Sequence, residues 1–132
     1  MNVRDLEDAD PASFALNDLL GIDRWDTTWT AAFSSLTTVG ALTTASRFRV
    51  VGRQCFFEVK VSAATSIAST AGTTYFALPR SAMGLAGQAD MVNDTTHIAV
   101  GSCAVDVTDS RCYLPTQVAS GNTFLIAGWF EV

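Results

Sequence analysis

The stretch that decides the fold class is residues 53–62, RQCFFEVKVS, because its side chains alternate in character at successive positions. In a strand, successive side chains point to opposite faces. One face would carry the apolar side chains of Cys55, Phe57, Val59 and Val61. The other would carry Gln54, Phe56, Glu58 and Lys60, a polar set with one anomaly, Phe56. This pattern predicts a half-buried antiparallel strand.

The same β signal extends over the rest of residues 25–132, where threonine, valine, phenylalanine and alanine dominate. Turn-forming residues separate the apolar runs at 93–94, 108–110 and 120–122. Strands are predicted at 25–31, 47–51, 53–62, 73–78, 89–93, 96–100, 102–107, 111–114 and 123–132. Short strands without intervening helices predict an all-β fold, an antiparallel β-sandwich of the jelly-roll type.

Residues 1–24 differ from this body and are predicted to form an acidic N-terminal arm with a short helix. Asp10 can cap the helix, Pro11 suits its first position and Gly21 can end it. Residues 1–26 hold seven acidic side chains against two arginines. A helix this short needs a surface to dock on. The predicted partner-binding residues are Asp10, Phe14, Leu16, Leu19, Leu20, Trp25, Trp29 and Phe56.

Length and charge narrow the class of protein. The chain has 132 residues, of which 48% are hydrophobic, and this suits one domain with its own core. No apolar run approaches the roughly 20 residues of a membrane span. The first ten residues are acidic where a signal peptide is apolar, so we expect synthesis in the cytoplasm. The net charge of −5 lies in residues 1–26, and the neutral remainder argues against a nucleic-acid surface.

Residues that could carry chemistry are sparse. Three cysteines, Cys55, Cys103 and Cys112, and one histidine, His97, lack the paired spacing of a zinc site. We therefore expect buried free thiols. Residues 90–94 could hold calcium through carboxylate and amide oxygens, although a plain Asn-Asp turn is favoured. No Gly-x-Ser-x-Gly elbow and no facing pair of carboxylates is evident. We expect no enzyme activity, no cofactor and no metal.

Four segments carry a family resemblance: VVGRQCFF at 50–57, TTYFALP at 73–79, CYLP at 112–115 and SGNTFLIAGWFEV at 120–132. Over residues 45–132 the chain resembles the small β-sandwich virion domains of tailed bacteriophages, which serve as head-decoration proteins, head fibres and tail-fibre tips. The resemblance implies a homotrimeric virion protein that contacts the major capsid protein or the tail. The short sequence before the matching region favours a capsid decoration, cement or head-fibre subunit over a severed fibre tip.

Self-association is also expected from the residues themselves. Natural proteins protect open sheet edges with charge, chiefly lysine, and this chain has a single lysine, Lys60. A lysine-poor domain with apolar surface can bury that surface against copies of itself. The alternative function is a tail module that recognises host-surface carbohydrate or protein. Tyr75, Tyr113 or Trp129 would then stack on sugar rings, although a core position is the simpler expectation for each.

Overall fold

A computed structural model of the chain describes residues 25–118 and 122–132, in which the regular secondary structure consists of ten β-strands. Their bounds are β1 Phe33–Ser34, β2 Thr37–Val39, β3 Leu42–Val51, β4 Gln54–Ala63, β5 Ser66–Ala68, β6 Tyr75–Ala77, β7 Gly87–Asn93, β8 Ile98–Asp106, β9 Arg111–Tyr113 and β10 Thr123–Glu131. The prediction of an all-β fold is confirmed for these residues. The arm at 1–24 and its short helix lie outside them.

Eight of the strands form one antiparallel sheet in the order β1-β6-β9-β8-β7-β10-β4-β3, and β2 pairs with β5. Strand β8 changes partner along its length. Its residues 98–103 pair with β7, whereas residues 104–106 pair with β9. The sheet therefore curls, and Phe57 on β4 reaches Phe76 on β6 with ring centroids 5.9 Å apart.

The core lies inside this curl and is built from alternate residues of the long strands. The four apolar side chains of β4 that the alternation predicted are all buried, as are Phe124, Ile126 and Phe130 on β10. Burial of one such side chain is worth about 1.5–3 kcal/mol. The inner face also requires Gly128, because a Cβ there would lie 2.5 Å from the Cβ of Ala89 on the neighbouring β7. Glycine thus allows β10 and β7 to approach.

The predicted strand at 25–31 is wrong. Only Asp26 forms a bridge, exchanging backbone hydrogen bonds with Phe48 of β3 (2.7 and 3.1 Å). Further along, the Ser46 hydroxyl accepts a hydrogen bond from the Ala31 N–H (3.0 Å) and donates one to the Trp29 carbonyl (2.8 Å). Because a side chain satisfies these groups, no strand ladder forms. The segment runs beside the β3 edge and continues into β1 at the opposite edge of the sheet.

Other predicted strands differ in their bounds from the strands of the structure. The prediction missed β1, β2, β5 and the first half of β3, which are short or rich in Thr, Ser and Ala and show no clear alternation. It also divided β8 in two at Gly101. The strand continues through that position with a shift of register opposite Met91 and Val92. A β-bulge adds one residue to a strand while pairing continues on either side, so a glycine at this position need not end the strand.

A candidate binding face on the outside of the sheet

The outer side of the sheet carries two rows of facing side chains. Strand register places Arg49, Phe56, Trp129 and Gln88 side by side on β3, β4, β10 and β7. The next row is Arg47, Glu58, Ala127 and Asp90. We call these eight residues, together with Trp25, the outer face. The side chains of the outer face point away from the core, and they alternate along the strands with the inward-pointing side chains that form it.

Trp25 joins the outer face because the neighbouring Asp26 is bridged to the edge of β3. The guanidinium carbon of Arg47 lies 4.5 Å from the Trp25 ring centroid, and that of Arg49 lies 5.1 Å away. Arg49 also lies 5.8 Å from the ring centroid of Phe56. These distances are within the range of cation–π attraction. The two arginines therefore link the edge segment to the aromatic row.

The charged groups of the outer face are of both signs. Arg47 donates to Glu58 Oε2 from Nε (2.7 Å), with its terminal nitrogen 2.6 Å from the same oxygen. The Ser102 hydroxyl on β8 donates to Asp90 Oδ1 (3.2 Å). Both side chains of the ion pair are about half exposed, at 48% and 44%. The face thus combines aromatic rings with exposed hydrogen-bonding groups at nearly balanced charge.

Small residues in the middle of the sheet make this face concave. Ala127 and Gly128 form the floor of a depression of about 420 Å³ between the aromatic row and Asp90. A second depression of about 640 Å³ lies over Ala45, Lys60 and Leu125. Glu58 and Ala127 line both. The two depressions therefore lie side by side over β3, β4 and β10, and we call them together the trough.

The structure places two of the predicted partner-binding residues on the outer face and a third at the border of the trough. Trp25 and Phe56 both lie on the outer face, linked by Arg49. Trp29 packs its ring inward, with its ring centroid 6.1 Å from those of both Phe48 and Phe76, and it also lines the second depression. The remaining predicted residues lie outside the described residues: Asp10, Phe14, Leu16, Leu19 and Leu20.

The expectation that Tyr75, Tyr113 and Trp129 belong to the core is wrong, because each is only partly buried. Trp129 is the cross-strand partner of Phe56 on the outer face. Tyr75 and Tyr113 lie on the outer side of β6 and β9, with ring centroids 5.2 Å apart.

Sequence reasoning missed the polar members of the site. Gln88 and Asp90 occupy outward positions of β7, where the strand alternates with buried Ala89 and Met91. That alternation in the sequence was the available signal for their orientation. Arg49 gave no such signal, because its role depends on Trp25, which is distant in sequence.

The three cysteines are free and buried. Burial raises the pKa of Cys55 to about 11, an effect that nearby Arg80 partly opposes. A hydrogen bond with Cys103, together with burial, raises the pKa of Cys112. The thiolate is the reactive form of cysteine, so Cys55 and Cys112 are poor nucleophiles near neutral pH.

The Asn93-Asp94 turn forms as predicted. Asn93 Oδ1 accepts backbone hydrogen bonds from Thr95 (2.9 Å) and Thr96 (3.2 Å). Within residues 25–118 and 122–132, no group of three His, Cys, Asp or Glu side chains could hold a metal ion. The same part of the chain has no helix long and apolar enough to cross a membrane.

Comparisons with known proteins found no match of any kind. No protein-family model matches the chain, and neither does any curated protein or solved structure.

Proposed function

We propose that this protein is a non-enzymatic virion structural protein of a tailed bacteriophage, a homotrimeric capsid decoration, cement or head-fibre subunit. In this proposal the curled sheet is a form of jelly-roll β-sandwich, and the acidic arm contacts the major capsid protein or another virion protein. The resemblance of residues 45–132 to such domains motivates the phage assignment. The observation that carries the assembly role is apolar surface on a loop that is fastened to the sheet.

This loop, residues 79–86 between β6 and β7, exposes Leu85 (96%) and Met83 (79%). Backbone and side-chain bonds fasten it nonetheless. Met83 N–H donates to the Glu131 carbonyl (3.1 Å), Leu85 N–H donates to Glu131 Oε2 (3.3 Å), and Ala82 N–H donates to the Ser110 hydroxyl (2.9 Å). We infer that a partner covers these two apolar side chains, because the loop holds them in a fixed position at the surface. A second copy of the chain is the proposed partner.

Light scattering tests the assembly role. Three chains of 14.0 kDa give a particle of about 42 kDa, which is the expected mass at micromolar concentration. Leu85→Glu should shift the mass toward the monomer, because a buried leucine contributes about 1.5–3 kcal/mol and a buried unpaired carboxylate is unfavourable.

Ile98→Glu is the matched control for this variant. Ile98 is also exposed (65%), but it lies on β8 opposite Asn93, at the far end of β7 from the loop. The Ile98→Glu protein should keep the mass of the unmodified protein. A wild-type protein that scatters as a monomer would remove the main support for the assembly role. Quantitative mass spectrometry of purified particles then distinguishes a decoration subunit, present in many copies, from a tail subunit, present in few.

A second candidate function is recognition of the host surface by a tail module, and the open trough on the outer face favours it. Ligand sites combine a mostly apolar concave surface with a few placed polar groups. Trp25, Phe56 and Trp129 provide the apolar surface here, and Gln88 and Asp90 provide polar groups. The two candidates differ in the surface that they use, so they can be tested separately.

A further inference from the structure

We propose that the outer face is a binding site for a neutral oligosaccharide, an inference that rests on the recognition role. A pyranose ring has apolar C–H faces and a rim of hydroxyl groups. A site for it therefore needs exposed aromatic rings beside groups that both donate and accept hydrogen bonds. The outer face provides these two features on adjacent strands.

The aromatic part of the site is a row at the end of the trough. Phe56 and Trp129 are directly opposed on β4 and β10. Trp25 flanks the same row through its contact with Arg49. All three rings are partly exposed. Exposed aromatic rings on paired strands give a fixed apolar platform at a small cost in conformational entropy.

The polar part of the site lies on β7 and β4. Gln88 is the cross-strand neighbour of Trp129 and is exposed, so its amide can both donate to and accept from sugar hydroxyls. Asp90 and Glu58 flank Ala127 on either side and add carboxylate acceptors. Hydroxyl groups suit this mixture because each can donate and accept.

The balance of charge selects a neutral ligand. Three basic side chains of the trough, Arg47, Arg49 and Lys60, are interspersed with the carboxylates Glu58 and Asp90. Arg47 is paired with Glu58, and Lys60 lies 3.9 Å from Asp94. A polyanion such as nucleic acid or a sulfated glycan binds to clustered basic side chains, and here it would meet both carboxylates. A cationic ligand would meet both guanidinium groups.

The shape of the trough fits more than one sugar ring. Its two depressions, about 420 and 640 Å³, share Glu58 and Ala127 as lining residues and lie over β3, β4 and β10. Neighbouring strands lie about 4.8 Å apart, so the trough spans roughly two strand spacings. We therefore expect a longer oligosaccharide to bind more tightly than a monosaccharide.

Nuclear magnetic resonance titration of the full chain tests the site. The probes are linear hexasaccharides of glucose, mannose and N-acetylglucosamine, with hyaluronan and heparin fragments as anionic comparisons. At least one neutral hexasaccharide should shift the resonances of Gln88 and the indole N–H of Trp129. Trp129→Ala should weaken that binding about fivefold or more, because an aromatic contact of this kind is worth up to about 1.5 kcal/mol, or about tenfold.

Two further variants separate binding from folding. Trp129→Phe keeps a ring in place and should retain most of the affinity. Tyr113→Ala removes a partly exposed aromatic side chain from the outer side of β9 and should leave the affinity unchanged.

The site is overturned if no neutral hexasaccharide shifts these resonances at millimolar concentration, or if only the anionic fragments do. Equal losses of affinity in Trp129→Ala and Tyr113→Ala would also overturn it. Light scattering on the same samples keeps the proposals distinct. A monomer that binds the oligosaccharide contradicts the assembly role alone, whereas a trimer that binds none contradicts the site alone.

Discussion

At the scale of single residues, Arg49 organises the outer face. Its guanidinium carbon lies 5.1 Å from the ring centroid of Trp25 and 5.8 Å from that of Phe56. Each such contact at an exposed site is worth about 0.5–1 kcal/mol. Arg47 secures Trp25 in the same way while it is paired with Glu58. The edge segment is therefore held on the sheet by cation–π contacts beside its hydrogen bonds.

The buried cysteines should be protected from a thiol reagent in the folded protein. In the folded protein, all three thiols should react slowly with Ellman's reagent at pH 8, at the rate at which the fold opens and exposes them. They are buried, and the pKa of Cys55 is raised to about 11. In urea, three thiols per chain should react at once.

The same shift in pKa affects stability at high pH. An unfolded cysteine has a pKa of about 8.5, so Cys55 in the folded state holds its proton more tightly. Its contribution is complete below that value and is lost as the pH rises toward 11. Immediate reaction of a thiol in the native protein would contradict the burial on which both expectations depend.

At the scale of single elements, β4 has two faces with different roles. Phe57 is 1% exposed, and its ring centroid lies 5.9 Å from that of Phe76 and 6.0 Å from that of Phe130. Its neighbour Phe56 lies on the outer face. The two adjacent phenylalanines therefore have different roles: Phe57 stabilises the core, and Phe56 forms part of the outer face.

This difference predicts the outcome of a pair of substitutions. Phe57→Ala should lower the free energy of unfolding by about 3–5 kcal/mol, because it leaves a cavity in the core. Phe56→Ala, the matched control, should cost less than about 1.5 kcal/mol, because its side chain is partly exposed. Urea denaturation followed by circular dichroism measures both. Similar losses of stability in the two variants would contradict the assignment of the two faces.

At the scale of the whole molecule, residues 25–31 connect the two edges of the curled sheet. Asp26 pairs with Phe48 on β3 at one edge, and the chain then enters β1 at the other. On the way, Trp29 packs against Phe48 and Phe76 in the interior. The segment thus covers the gap between two sheet edges that would otherwise face water.

Deletion of the N-terminal arm tests whether it attaches the protein to the particle. If residues 1–22 anchor the protein, their deletion should leave the β domain folded and abolish attachment to the particle. Attachment of the full chain should weaken with salt, because exposed charges are screened over about 8–10 Å at physiological ionic strength.

Thermal melting and a particle-binding assay of the truncated protein provide the test. A folded truncated protein that still binds would contradict anchoring. If instead Leu16, Leu19 and Leu20 cover the domain itself, truncation should cost several kcal/mol, at about 1.5–3 kcal/mol for each leucine.

The sequence by itself determined the local features of the described domain. Alternation over residues 53–62 set the two faces of β4, and Asn93-Asp94 set a turn, because both patterns depend on neighbouring residues only. Tertiary structure decided the order of the strands, the curl at β8 and the path of residues 25–31. It also decided the candidate binding face, which combines Trp25, Arg49, Phe56, Gln88 and Trp129 from four strands and the segment before β1. Only strand pairing and register place these side chains together, and residues distant in sequence determine that pairing.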